Sequence, residues 1–300
     1  MNSKQPHRII DAGFFPKSIL IDTTSFCNLR CSMCGHRTMM RKRGVMDFAL
    51  YKKIIDEVAQ VNKNTRVWMI FFGEALLLKK TLLFPMISYA KEKGLTDVVL
   101  NSNGNLLDEE ASKRLIKSGL DAIYVGIDAA SKKTYDQLRI GGDFNQVVKN
   151  VIRLTEIKRE LKSEKPLVFV QFVEMKENQD EKQEFIDFWK RYPVTVKIRP
   201  MVSWAGIVNA PNLKLDNKER WPCYWVMQSM AINNEGKAVL CAVDVDSRFI
   251  AGDVSKDSLA AVWMGNLKTI RRLHEEGKYD MLPELCKNCG DWQAACAEFL

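Results

Sequence analysis

The 300-residue chain predicts an α/β fold: a partial (β/α)6 barrel followed by a small, cysteine-bearing C-terminal unit. Three observations predict it. Between about residues 18 and 200, short runs rich in Val, Ile and Phe alternate with longer amphipathic stretches, the signature of repeated strand–helix units around a parallel sheet. Six such units succeed one another without an antiparallel break, which suits a curved, incomplete barrel whose site lies at the carboxyl ends of its strands. The cysteines fall into two sets, Cys27, Cys31 and Cys34 near the start and Cys223, Cys241, Cys286, Cys289 and Cys296 near the end, with nearly two hundred cysteine-free residues between them.

Strands are expected over residues 18–23, 66–72, 97–101, 122–127, 167–173 and 195–199, each short and β-branched or aromatic. Helices are expected over 47–60, 82–93, 108–118, 144–161 and 181–192, with Asp108 three residues before Ala111 and Asp143 before Phe144 reading as helix starts. After Pro200 the pattern changes. Residues 201–222 read as an irregular connector, and 230–240 as a hairpin turning at Asn233-Asn234-Glu235-Gly236. Residues 267–276 read as a helix, and the tail from Cys286 has too few apolar residues to fold without a metal staple. The expected division is an N-terminal extension (1–17), the barrel (18–200), the connector (201–222) and a C-terminal metal-binding unit (223–300).

Composition narrows the function classes. With 46% hydrophobic and 27% charged residues the chain is an ordinary globular one. No apolar run reaches bilayer length and the first ten residues lack the apolar stretch of a secretory signal, so a cytoplasmic protein without membrane contact is expected. Its thiols are then kept reduced, which favours metal binding over disulfides. The net charge of +8 is spread, with Arg41-Lys42-Arg43 and Lys79-Lys80 as short clusters. That argues against a nucleic-acid partner while suiting an anionic small-molecule substrate. His7, His36 and His274 stand alone, and neither H-E-x-x-H nor G-x-S-x-G nor a Walker loop occurs.

Cys27-Asn-Leu-Arg-Cys31-Ser-Met-Cys34 follows the first strand as C-x3-C-x2-C. Three thiolates so spaced can wrap one cubane and leave an iron open to an amino acid's amino and carboxylate groups. Taken alone, the spacing also admits a zinc site with His36 as fourth ligand, or unrelated thiols. Other strand ends add to it: Phe72-Gly73-Glu74, Asn101-Ser102-Asn103-Gly104, Val125-Gly126-Ile127-Asp128 and then Tyr135-Asp-Gln-Leu-Arg139. With these pieces in order over about residues 19–199, the chain resembles the radical S-adenosylmethionine (SAM) superfamily. The resemblance implies a 4Fe-4S cluster on Cys27, Cys31 and Cys34, SAM as its ligand, a 5′-deoxyadenosyl radical as product, and a flavodoxin- or ferredoxin-type electron donor. It implies that Gly73 and Glu74 receive the methionyl ammonium, that Asn103 belongs to the third-strand motif, that Asp128 bonds a ribose hydroxyl and that Arg139 grips the methionyl carboxylate. Two positions depart from the family pattern. Met33 stands where many members have an aromatic residue and is expected on the adenine, and Gly126 stands where many have a Ser-like donor.

In the second set, Cys223 and Cys241 flank the hairpin and Cys286-Lys-Asn-Cys289 forms a close pair. By themselves these two separated pairs also fit a zinc ribbon. Beside the barrel motifs they resemble the SPASM or shorter twitch extension of the superfamily, most of all the twitch of 2-deoxy-scyllo-inosamine dehydrogenase-type enzymes. This implies a second, auxiliary 4Fe-4S cluster on Cys223, Cys241, Cys286 and Cys289. A fully thiolate-ligated cluster carries electrons, so the expected reaction is oxidation of an alcohol carbon in a sugar, aminocyclitol or nucleotide sugar. Cys296 is a spare thiol, an alternative ligand or a catalytic hydrogen donor, the last making the enzyme an epimerase. A peptide-modifying enzyme is a same-class rival, though only about seventeen residues precede the first strand, so no leader-binding domain is expected there. A zinc-stapled nucleic-acid module is the rival of another class.

Overall fold

The computed structural model describes residues 13–213 and 220–294. Six strands with helices between them appear in the expected order: β1 (Ser18–Ile21), α1 (Phe48–Val61), β2 (Arg66–Trp68), α2 (Leu83–Glu92), β3 (Val98–Ser102), α3 (Glu109–Lys117), β4 (Ala122–Gly126), α4 (Lys132–Leu138), α5 (Phe144–Glu160), β5 (Leu167–Glu174), α6 (Lys182–Trp189) and β6 (Thr195–Pro200). The C-terminal part adds α7 (Tyr224–Gln228), β7 (Ser229–Ile232), β8 (Lys237–Val239), β9 (Ile250–Asp253), α8 (Leu259–Met264), α9 (Asn266–Glu275) and α10 (Glu284–Lys287).

Local chemistry sets the helix boundaries. The Asp47 carboxylate accepts the Ala49 and Leu50 N–H groups at the head of α1, and Asp108 and Asp143 cap α3 and α5 likewise. Helix α1 then buries Tyr51, Ile54, Ile55 and Val58, a stripe at helical spacing in which each side chain contributes about 1.5–3 kcal/mol. Helix α4 was not expected from the sequence. It starts at Ser131, whose hydroxyl accepts the Thr134 N–H, and it delivers Arg139 to the barrel.

Strands β1 to β6 pair in sequence order and all in parallel. Ile19, Val67, Val98, Leu100, Ile123, Val125, Val168 and Val170 face the helices in the main core. The alternate residues Trp68, Val99 and Tyr124 face the concave side with Leu20 and Phe169, where the Tyr124 and Phe169 rings stack at 4.4 Å. The sheet does not stop at β1. Strand β7 pairs parallel to β1 and leads the antiparallel β8 and β9, so one nine-stranded sheet runs β6-β5-β4-β3-β2-β1-β7-β8-β9. The hairpin therefore extends the barrel sheet rather than standing beside it. Its turn is made by Asn233, whose side chain accepts the Glu235 and Lys237 N–H groups, and by Gly236 at φ +81°. No helix among the described residues is long and apolar enough to cross a membrane.

Candidate active site

The three N-terminal cysteines lie on the loop that leaves β1, with Cys31 buried and Cys27 and Cys34 partly so. Burial raises the Cys27 thiol to about 11 and the Cys34 thiol to about 12. The neighbouring sulfurs add to this, because thiolates crowded together repel. A bound cationic core would reverse that balance and stabilise all three as thiolates. The loop is already shaped by its own backbone: the Leu29 N–H points at Cys27 Sγ (3.5 Å) and the His36 N–H at Cys34 Sγ (3.4 Å). His36, considered as a zinc ligand, spends Nε2 on the Ser25 carbonyl at 2.7 Å.

The β2 strand is shorter than the sequence suggested, because the Thr23 hydroxyl donates to the Met69 carbonyl and Asp22 accepts the Phe72 N–H, turning 69–74 into a loop. Gly73 has φ +92°, and a Cβ there would stand 2.4 Å from the Thr24 carbonyl oxygen and 2.6 Å from that of Phe26. Only glycine lets this loop lie against the cysteine loop. Glu74 follows, 1% exposed. Its carboxylate accepts the Leu76 N–H (3.0 Å), Ser102 Oγ–H (3.0 Å) and Asn103 N–H (2.7 Å). Burial nevertheless raises its pKa. Asn103 also reaches back to the cysteine loop, its amide donating to Asn28 Oδ1 at 2.9 Å.

At the end of β4, Asp128 is fully buried with φ +61°. One carboxylate oxygen accepts the Val173 N–H at 2.8 Å; the other receives Arg139 Nε at 2.8 Å and Arg139 Nη2. The remaining Arg139 nitrogen, Nη1, points to Cys31 Sγ at 3.7 Å. Burial alone would lower the Arg139 pKa, but the Asp128 charge more than offsets it and the guanidinium stays firmly protonated. Gly126 explains the geometry: a Cβ there would fall 2.2 Å from Arg139 Nη2. The position that departs from the family pattern is the space the guanidinium fills.

Beside Gly126 in register are Gln171 and then Lys197, with Arg199 two residues further along β6. Lys197 lies 5.7 Å from the Tyr124 ring, on the concave side. Burial, then Arg199 and Arg66, lowers its pKa to about 8; burial likewise lowers that of Arg199 to about 10. Gln171 Nε2 is buried without a partner. Sequence reading missed this polar row, since its members belong to strands that are otherwise apolar.

The second cysteine set also converges. Cys223, Cys241, Cys286 and Cys289 are all buried and line one small cavity with Arg220, Trp225, Leu285 and Trp292. Burial raises all four thiols, Cys223 to about 11 and Cys286 to about 12, and Cys241 is pushed further by the other three sulfurs. Four buried thiols sharing an apolar cavity fit an iron–sulfur core, whose charge would pay for their ionisation. Among the described residues no group of three or more His, Cys, Asp or Glu is placed to hold a single metal ion. A cubane, which spreads its ligands over four irons, does not require that spacing.

Met33 packs with Leu138, Met175, Met201 and Ala210, and its carbonyl accepts the Trp204 indole N–H at 2.8 Å. Trp204 also contacts Phe72 at 5.3 Å between ring centroids, joining the connector to both loops of the site. Nothing in its sequence context distinguished it from Trp221, which instead meets Trp292 edge-on beside the second set. Cys296 and His7 lie outside the described residues.

Two family models match: the radical SAM superfamily over residues 21–188 and the SPASM iron-sulfur cluster-binding domain over 223–290. A tungsten-containing aldehyde ferredoxin oxidoreductase cofactor-modifying protein of Pyrococcus furiosus is 28% identical over 166 residues, 54% of this chain and 45% of that protein. A GTP 3′,8-cyclase of Clostridium botulinum is 24% identical over 177 residues, 59% of this chain and 54% of that one. The chain thus spans about half the length of these curated relatives. Among solved structures, BtrN in complex with AdoMet and 2-DOIA superposes with TM-score 0.64 at 18% identity, covering 92% of this chain and 93% of BtrN. SuiB of Streptococcus suis bound to S-adenosylmethionine superposes with TM-score 0.68 at 14% identity, covering 91% and 72%. These likenesses show a shared fold. With the first match covering more than half of its length, the chain belongs to the radical SAM superfamily, has a 4Fe-4S cluster and SAM as cofactors, and carries an iron–sulfur SPASM domain after the barrel.

Proposed function

We propose that this chain is an oxidoreductase that removes hydrogen from an alcohol carbon of a hydroxylated, anionic small molecule such as a sugar, aminocyclitol or nucleotide sugar, with the hydroxyl proton released to a base or solvent and one auxiliary 4Fe-4S cluster taking up the electron. The observation that carries the reading is the quartet of buried cysteines, Cys223, Cys241, Cys286 and Cys289, around one cavity. They satisfy a single cubane completely, and such a centre is suited to electron transfer rather than substrate binding.

Cys27, Cys31 and Cys34 would hold the cluster that, with SAM bound, would supply the radical chemistry that starts the reaction. The chain's own residues orient SAM. Glu74 accepts three hydrogen bonds, which leaves one of a carboxylate's roughly four lone-pair sites for the methionyl ammonium. Arg139 commits Nε and Nη2 to Asp128 and turns Nη1 toward Cys31, the edge suited to the methionyl carboxylate. Asp128 is accordingly assigned to positioning Arg139, in preference to the ribose contact suggested by the sequence. Lys197, whose pKa burial and then the Arg199 and Arg66 charges lower, and Arg199, whose pKa burial lowers, form a half-buried row beside Gln171 that favours an anionic group on the substrate.

Anaerobic reconstitution tests the reading. The wild-type chain given SAM and dithionite is expected to form 5′-deoxyadenosine, Cys31→Ala to form none, and Cys286→Ala to form it while losing the iron of the auxiliary cluster. Zinc in place of iron, or no deoxyadenosine from the wild type, would sink it.

A further inference from the structure

Arg220 stands three residues before Cys223 and is 7% exposed. It lines the cavity shared by the four C-terminal cysteines. One guanidinium nitrogen, Nη2, donates to the Cys286 carbonyl at 3.0 Å, and the group lies 4.9 Å from the Tyr279 ring. Tyr279 in turn donates its hydroxyl to the Arg220 backbone carbonyl at 3.1 Å, so one residue fixes the main chain and flanks the guanidinium. The other two nitrogens, Nε and Nη1, are buried with no partner.

This arrangement is costly as it stands. A buried donor without an acceptor is destabilising, and a buried unpaired cation more so. His274 uses Nδ1 on the Cys223 N–H at 3.5 Å. The neighbouring acid Asp291 is occupied elsewhere, by Ser203 N–H and Oγ–H and by Ala205 N–H. What the two idle donors and the charge have in common is a cavity lined by sulfur.

We infer that Arg220 donates Nε–H and Nη1–H to sulfur atoms of the auxiliary cluster and holds its reduction potential up. The inference rests on the auxiliary-cluster reading. Reduction adds one electron and one unit of negative charge to the cluster, and a fixed cation with two N–H donors stabilises the more negative state most. Arg220 thereby makes the cluster a better acceptor for the electron left when an alcohol carbon is oxidised. Because a guanidinium does not deprotonate in proteins, the electron enters without a coupled proton at this residue.

The test is an EPR-monitored redox titration of the full chain, reconstituted anaerobically, with Cys27, Cys31 and Cys34 all changed to Ala so that the auxiliary cluster alone is observed. Arg220→Gln is expected to make reduction at least tenfold less favourable at a fixed potential, a shift of about 59 mV for a one-electron couple, and Arg220→Lys to recover part of it. In deuterated buffer, the Arg220-containing cluster should lose exchangeable proton couplings that Arg220→Lys changes. A loaded Arg220→Gln cluster with an unshifted potential overturns the inference. Should Arg220→Gln not load, the absence of exchangeable couplings with Arg220 present overturns it equally. Failure of the underlying reading looks different: the triple-Ala chain would then hold no iron or sulfide at all.

Discussion

Gly126 and Arg139 are a matched pair, thirteen positions apart in the chain and in contact at the mouth of the barrel. The sequence showed Gly126 only as a departure from a pattern that favours a hydroxyl; the structure shows why a larger residue is excluded. Gly126→Ser is expected to push the guanidinium off Asp128 and weaken SAM binding to the reconstituted chain by tenfold or more, about 1.4 kcal/mol, as measured by equilibrium dialysis. Unchanged affinity would count against Arg139 as the carboxylate ligand. Glu74, Asn103 and the cysteines were legible at this scale because each sits where a strand gives way to a loop, and turn chemistry marks such places. Gln171 and Lys197 were not, since a polar residue inside an apolar strand does not announce which face it takes until the strand is paired.

Among the elements, α9 connects the C-terminal cysteines to the rest of the protein through His274. Burial, and then the Arg220 charge, lowers the His274 pKa to about 3, against 6.5 for the free side chain. With the folded pKa below the unfolded one, this group leaves stability intact above pH 6.5 and takes it away as pH falls from there toward 3. The expected slope is about 1.4 kcal/mol per pH unit. His274→Gln, compared with wild type by urea unfolding of the cluster-loaded chain at pH 7, 6 and 5.5, should flatten that part of the acid limb; an equal slope in both would refute the assignment. Helix α4 illustrates the limit of sequence reading at this scale. Its seven residues, Lys132–Leu138, bury only Thr134, Tyr135 and Leu138, too little pattern to separate a short helix from a loop.

For the whole molecule, one side chain ties the first site to the C-terminal sheet extension. Arg41 donates Nη2 to Asp22 at 2.6 Å, Nη1 to Asn234 at 2.7 Å in the β7–β8 turn, and Nε to the Val245 carbonyl at 2.9 Å. In the sequence it belonged to a short basic cluster with no partner in view. Asp22 is completely buried, and burial outweighs even Arg41 in raising its pKa to about 6. Removing the cation strands that carboxylate, so Arg41→Met is expected to cost about 3–5 kcal/mol in chemical unfolding of the cluster-loaded chain. Adding Asp22→Asn should return a good part of the loss. If the two substitutions simply add, the pair is not the latch described here.

The sequence by itself determined the units and the chemistry of the site. Strand and helix periods, capping aspartates, the two cysteine sets and the Gly-Glu and Asn-Gly turns are properties of neighbouring residues, and they placed the strands of a parallel barrel in order and marked the cysteines that the fold gathers into two sets. Only the tertiary structure decided which distant groups meet. The pairing of β7 with β1 is made by backbone hydrogen bonds, which any side chains can accompany. The contact of Trp204 with Met33 spans 171 positions, and the placing of Arg220 among four thiols depends on three separate segments closing around one cavity. Such contacts follow from how preformed elements pack, and packing leaves no local period in the chain to be read.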